Sequence, residues 1–137
     1  MDKFCVKDLI PHRNSMLLLD KISKIENNYA EGFYKTKGNE FFLDGHYPNQ
    51  KIVPGTILCE IMAQLAAAFV GHTRKIDGMP ILAEIKNAKF KKLVLPEETL
   101  TIKMNVIKDS FRVLRADCAV YVEDILAACA ELTVAIK

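Results

Sequence analysis

The sequence predicts an α+β domain in which one antiparallel sheet of six strands is wrapped around one long buried helix. Three observations predict it. Positions 52–71 form the most apolar run of the chain and are long enough for a helix spanning a small domain. From Leu100 onward, apolar residues recur at alternate positions, the period of strands with one buried face. Near the N-terminus, two short strand-like segments flank Asn27-Asn28, a hairpin turn pair.

The elements follow in order. Positions 3–10 predict a short helix with Phe4, Val6, Leu9 and Ile10 as its apolar residues. Pro11 ends it, because a residue before proline resists the helical conformation. A turn over 11–15 leads to strands at 17–25 and 29–37, with Gly32 marking a bulge. Positions 38–53 read as a loop. Its apolar Phe41-Phe42-Leu43 should be pinned to a core or to a partner chain.

Pro54 opens the long helix, as proline favours a first helical turn. Ile57, Leu58, Ile61, Met62, Leu65, Phe69 and Val70 cover most of its circumference, and alanines fill the rest. A helix apolar all round is buried all round. Strands follow at 81–94, then from Leu100 to a turn at Asp109-Ser110, then from Leu114 to a turn at Glu123-Asp124. The last strand places Leu126, Ala128, Ala130, Leu132, Val134 and Ile136 on one face. Its alanine-rich start also suits a helix.

At 137 residues the chain fits a single domain, 1–137, with a real core. A net charge of +2 with no block of like charge gives no support for nucleic-acid binding. The opening Met1-Asp2-Lys3-Phe4 lacks the basic and apolar regions of a secretory leader. Cys5, Cys59, Cys118 and Cys129 form no C-x-x-C pair and, with three histidines, no zinc spacing. Free thiols in the cytoplasm and no metal are therefore expected. The 52–71 run approaches the ~20 residues of a membrane span, but Pro54, Glu60 and Gln64 interrupt it. A buried helix in a soluble protein is expected.

Glu60 and Gln64 are four positions apart, so they share one face and make a polar spot on an apolar rod. A carboxyl buried there would hold its proton toward neutral pH and could then give it up. His46, in the turn Gly45-His46-Tyr47-Pro48, can accept a proton at the same pH. Gly55 lies in the first helical turn, where backbone N–H groups lack intrahelical acceptors and the dipole is positive. A carbonyl oxygen docked there would be polarised toward an enolate. Base, acid and oxyanion donor suit proton abstraction α to a carbonyl, with loss or gain of a β-hydroxyl. A hydrogen-bonded core pair at Glu60 and Gln64 and a structural turn at His46 fit the same residues. Cys59 points away from Glu60 and reads as packing; His12 and His72 have no acidic partner nearby in sequence and read as structural.

Three motifs carry a resemblance. Gly45-His46-Tyr47-Pro48, Val53-Pro54-Gly55 and Glu60-Ile61-Met62-Ala63-Gln64 resemble the signature of the hotdog-fold (3R)-hydroxyacyl-[acyl-carrier-protein] dehydratases of the FabZ type. Leu9-Ile10-Pro11-His12-Arg13 with Leu17-Leu18-Leu19-Asp20 is similar to that family's opening, and Lys89-Phe90-Lys91-Lys92-Leu93-Val94 with Pro96 to its basic strand. Tyr47, Asn49, Lys51 and Val53 depart from its usual residues, as do Asn14-Ser15-Met16 and Glu97-Glu98.

The resemblance implies a hotdog fold, paired as a dimer and often assembled as three dimers. It implies dehydration of a (3R)-hydroxyacyl thioester to the trans-2-enoyl thioester in fatty acid or related acyl elongation. The substrate rides on the phosphopantetheine of acyl carrier protein, and no cofactor or metal is used. It assigns His46 to the C2 proton, Glu60 to the C3 hydroxyl and the Gly55 N–H to the thioester oxygen, with histidine and glutamate from opposite subunits. Gln64 supports the site. Lys89, Lys91 and Lys92 would attract an acidic carrier protein, or keep a sheet edge soluble. The dehydratase–isomerase branch is expected to carry Asp where Glu60 stands. A hotdog acyl thioesterase and a non-catalytic carrier-binding protein are the other readings.

Overall fold

Ile10, just ahead of Pro11, is extended at φ −129° and ψ 150°, so the first helix, α1, runs only from Val6 to Leu9. This is shorter than the expected 3–10. The computed structural model describes residues 4–44, 49–74 and 77–137. After a 3-10 turn at Asn14–Met16 come β1 (Lys21–Glu26) and β2 (Tyr29–Lys35), then a second 3-10 turn at Phe41–Leu43. The long helix α2 (Gly55–Thr73) follows, and then β3 (Pro80–Phe90), β4 (Thr99–Ser110), β5 (Val113–Val122) and β6 (Ile125–Ile136).

The six strands form one antiparallel sheet in the order β1-β2-β4-β5-β6-β3. Helix α2 contacts all six strands. From Leu58 to Val70 every residue of α2 except Glu60 is buried. Facing it are Ala30, Leu100, Ile102, Met104, Val120, Leu132 and Val134, all within the same core. Each large apolar side chain sealed this way contributes about 1.5–3 kcal/mol. By length and hydropathy α2 also meets the test for crossing a membrane; here the sheet, not lipid, covers it.

Several boundaries differ from the sequence reading. Strand β1 begins at Lys21, because Leu18 and Leu19 lie under the sheet ahead of it as buried core. The bulge in this hairpin falls on β1 between Ile22 and Lys24, opposite Gly32 rather than at it. Gly32 instead admits α2: a β-carbon there would meet the Lys21 carbonyl oxygen at 2.9 Å and Leu65 Cδ1 at 3.3 Å. Strand β3 stops at Phe90, short of 94, since the Lys91 and Lys92 N–H groups both donate to the Ala127 carbonyl. The β4–β5 turn is Phe111-Arg112, not Asp109-Ser110, because Asp109 and Ser110 pair with Leu114 and Val113. The β5–β6 turn is Glu123-Asp124 as expected, both at positive φ, the twist-compatible form.

Alanine-rich β6 is a strand throughout. Pairing to β5 on one side and β3 on the other outweighs its local helix propensity. Strand β3, at the sheet edge, is unlike the others: only Pro80 and Leu82 are partly covered. Ile81, Ile85 and Phe90 are 39%, 44% and 51% exposed.

Candidate active site

The site is built on the first half of α2. Its entry is tied to the sheet by the Val53 N–H donating to the Val94 carbonyl at 2.9 Å. Pro54 takes the cap position with φ −58° and ψ 142°, and Gly55 is the first helical residue. Gly55 lies close under the Phe90 ring: a β-carbon would meet it at 3.0 Å, so a side chain there would push the ring aside. Its backbone lies at the dipole-positive end of the helix. A groove of about 300 Å³ runs past Pro54 and Gly55, with Lys92 and Leu93 on its other wall.

Glu60 lies five residues further on, roughly 7.5 Å along the axis. Its Oε2 accepts a hydrogen bond from Gln64 Nε2 at 3.0 Å. Gln64 is fully buried and fixed at both ends: its Oε1 accepts from the Leu18 N–H at 2.9 Å, and its Nε2 also donates to the Met16 carbonyl at 2.7 Å. Because one end must accept from a backbone N–H, the other end must donate to Glu60. The amide therefore has one orientation, and it passes that order to the carboxylate.

Glu60 itself is half-buried, with its side chain 25% exposed. This corrects the expectation of a carboxylate sealed inside the core. Glu60 sits on the rim of α2 and faces a cavity of about 30 Å³ shared with His12, Ala63, Ala67, Pro80, Leu82 and Val134. The space holds about one water molecule.

His12 is the second correction. Read as structural for want of an acid nearby in sequence, it places Nε2 3.4 Å from Glu60 Oε2. Only the packing of the N-terminal loop onto α2 brings them together; linear spacing holds no signal for it. His72, in contrast, packs edge-on against Phe4 with ring centroids 5.1 Å apart, as a structural residue would.

Glu60, Gln64 and Gly55 thus share one helix. His46 lies outside the described residues. The three lysines are not gathered: Lys92 lines the groove beside Gly55, Lys89 lines a separate groove on the outer sheet face near Tyr121 and Glu131, and Lys91 is exposed. Cys59 is buried and burial pushes its thiol up, which suits packing and not nucleophilic attack.

Comparison with known proteins decides the family. The FabA-like domain family matches residues 10–131. A 3-hydroxyacyl-[acyl-carrier-protein] dehydratase FabZ of Staphylococcus epidermidis is 34% identical over 134 residues, covering 96% of this chain and 92% of the relative. The FabZ of Pelotomaculum thermopropionicum is 36% identical, with 96% of each chain covered.

The chain belongs to the FabZ-type dehydratase family.

Among solved structures, the dehydratase heterocomplex ApeI:P from Xenorhabdus doucetiae superposes with a TM-score of 0.86 at 18% identity, covering 98% of this chain and 91% of that one. A hypothetical thioesterase with coenzyme A from Streptococcus pneumoniae superposes with a TM-score of 0.66 at 15% identity, covering 85% and 84%. At these identities both show the shared hotdog fold alone. The FabZ-type membership therefore rests on sequence, and the site geometry is this chain's own.

Proposed function

We propose that this protein catalyses the reversible dehydration of (3R)-3-hydroxyacyl-[acyl-carrier-protein] to trans-2-enoyl-[acyl-carrier-protein]. Supporting it most directly is a carboxylate, Glu60, oriented by a locked amide and facing a small cavity in a FabZ-type chain. In this reading His46 takes the C2 proton, and the C–H electron pair forms the new C2–C3 double bond. The C3–O bond breaks and the oxygen leaves with the Glu60 proton as water. The thioester oxygen, gaining charge as C2 loses its proton, lies at the Gly55 N–H. His46 and Glu60 then exchange their protons with solvent. Every step is a proton transfer or an elimination, so the chemistry calls for no cofactor beyond the phosphopantetheine that carries the acyl chain.

The acyl carrier protein is the proposed partner, with Lys89, Lys91 and Lys92 as its docking charges, and the cytoplasm is the proposed compartment. A second copy of the chain is proposed to cover β3. That strand leaves Ile81, Ile85 and Phe90 exposed on an unpaired edge, an unfavourable state for a free strand. In the dimer His46 of one subunit would face Glu60 of the other, and three dimers would make the hexamer.

The test is to incubate the protein with hydroxyacyl- or enoyl-[acyl-carrier-protein] and follow enoyl absorbance alongside free thiol. Interconversion without thiol release supports the dehydratase. Thiol release would replace it with a thioesterase. Carrier binding without turnover would make it a docking protein.

A further inference from the structure

We infer that His12 is a positioning residue for Glu60, donating from Nε2 to Oε2 so that Oε1 is the oxygen presented to substrate. This deepens the dehydratase reading and rests on it.

The geometry starts with how His12 is held. Gly71 lets the N-terminal segment lie directly on α2; a β-carbon there would collide with the Leu9 carbonyl oxygen. The Arg13 guanidinium then clamps the loop: Nη1 donates to the carbonyls of Ile10 at 2.8 Å and His12 at 2.7 Å, and Nη2 to that of Lys7 at 2.8 Å. Three charge-assisted bonds onto backbone hold the His12 main chain at a set height above α2.

The imidazole is 22% exposed in its side chain and its Nε2 lies 3.4 Å from Glu60 Oε2. Its Nδ1 is buried and has no hydrogen-bond partner among the described residues. A hydrogen on Nδ1 would be a buried donor with no partner there. With hydrogen on Nε2, the imidazole carries a donor on the atom nearest the carboxylate. At 3.4 Å the contact is longer than a formed hydrogen bond, as many catalytic contacts are before substrate tightens them. Oε2 already accepts from Gln64, so two donors converge on one oxygen. That leaves Oε1 as the oxygen free of both. The other cavity residues, Ala63, Ala67, Pro80, Leu82 and Val134, carry no charge, so among the described lining residues only His12 and Glu60 titrate.

The experiment compares wild type, His12→Ala and His12→Gln, with Glu60→Gln as reference. The Gln variant keeps an N–H donor near the Nε2 position without a titrating ring. His12→Ala should lower kcat roughly 10- to 100-fold, the scale of a misplaced group, with KM little changed. His12→Gln should recover most of that loss. A purely structural role would lower the melting temperature in both variants with no recovery of kcat in His12→Gln, and would overturn the inference. So would an unchanged kcat in His12→Ala, or a Gln variant as inactive as Ala. A readout independent of turnover is the nitrogen NMR spectrum of His12 at one fixed pH: its Nε2 resonance should move when Glu60 becomes Gln, and an unmoved resonance would overturn the contact. Wild type silent on hydroxyacyl substrate, with that resonance moving, would refute the dehydratase and leave the pairing standing.

Discussion

The Gln64 amide donates to Glu60 at 3.0 Å while its oxygen accepts from the Leu18 backbone at 2.9 Å. One side chain thus ties the N-terminal segment, the core helix and the reacting carboxylate together. Gln64→Leu keeps the volume but leaves the buried Leu18 N–H without its acceptor. A loss of about 2 kcal/mol is expected, the cost of an orphaned buried donor. Urea unfolding measures it, and the same variant should lose kcat more than the stability change explains, since Glu60 loses its fixed donor.

Glu40 organises the loop that leads toward His46. Burial pushes its carboxyl up, but the Tyr34 hydroxyl at 2.6 Å and the backbone N–H groups of Lys37 and Gly38 outweigh that and hold it below its ordinary value. A carboxyl depressed in the fold adds stability above its unfolded value, about 4.3, and loses it as pH falls through the folded one. Wild type should therefore lose urea stability below about pH 4. Glu40→Gln should be less stable at neutral pH and lose less on acidification; parallel acid slopes would remove Glu40 from the account.

Much of the fold is legible in the sequence, for identifiable reasons. An all-round apolar helix has only one place to go, and period-two alternation from Leu100 to Ile136 gives the buried face of β4, β5 and β6. Glu60 and Gln64 stand out because polar groups are rare on such a helix. What is not legible depends on tertiary contact. The Phe111-Arg112 turn follows from pairing of Asp109 with Leu114, which outranks the turn preference of Asp-Ser. His12 reaches Glu60 only because Gly71 admits the Leu9 carbonyl to the helix. The exposed apolar residues of β3 read in sequence as ordinary strand residues; only the sheet order places them at an open edge.

That edge carries the oligomer prediction. Ile85→Glu puts a charge in the middle of β3, where Ile85 is 44% exposed and touches little of its own core. Analytical ultracentrifugation should find wild type as a dimer or a multiple of it, and the variant shifted to monomer with folding retained. Turnover should fall with the dimer. A variant that stays dimeric would place the self-interface elsewhere.

The central claim is that Glu60 and His46 carry the chemistry. The direct measurement is single-turnover conversion of hydroxyacyl-[acyl-carrier-protein] to the enoyl product by wild type, Glu60→Gln and His46→Ala. The predicted result is conversion by wild type and a drop of roughly 100-fold or more in each variant, the scale of a lost general acid or base. Either variant within a few-fold of wild type would contradict the assignment of that residue, and both would contradict the site.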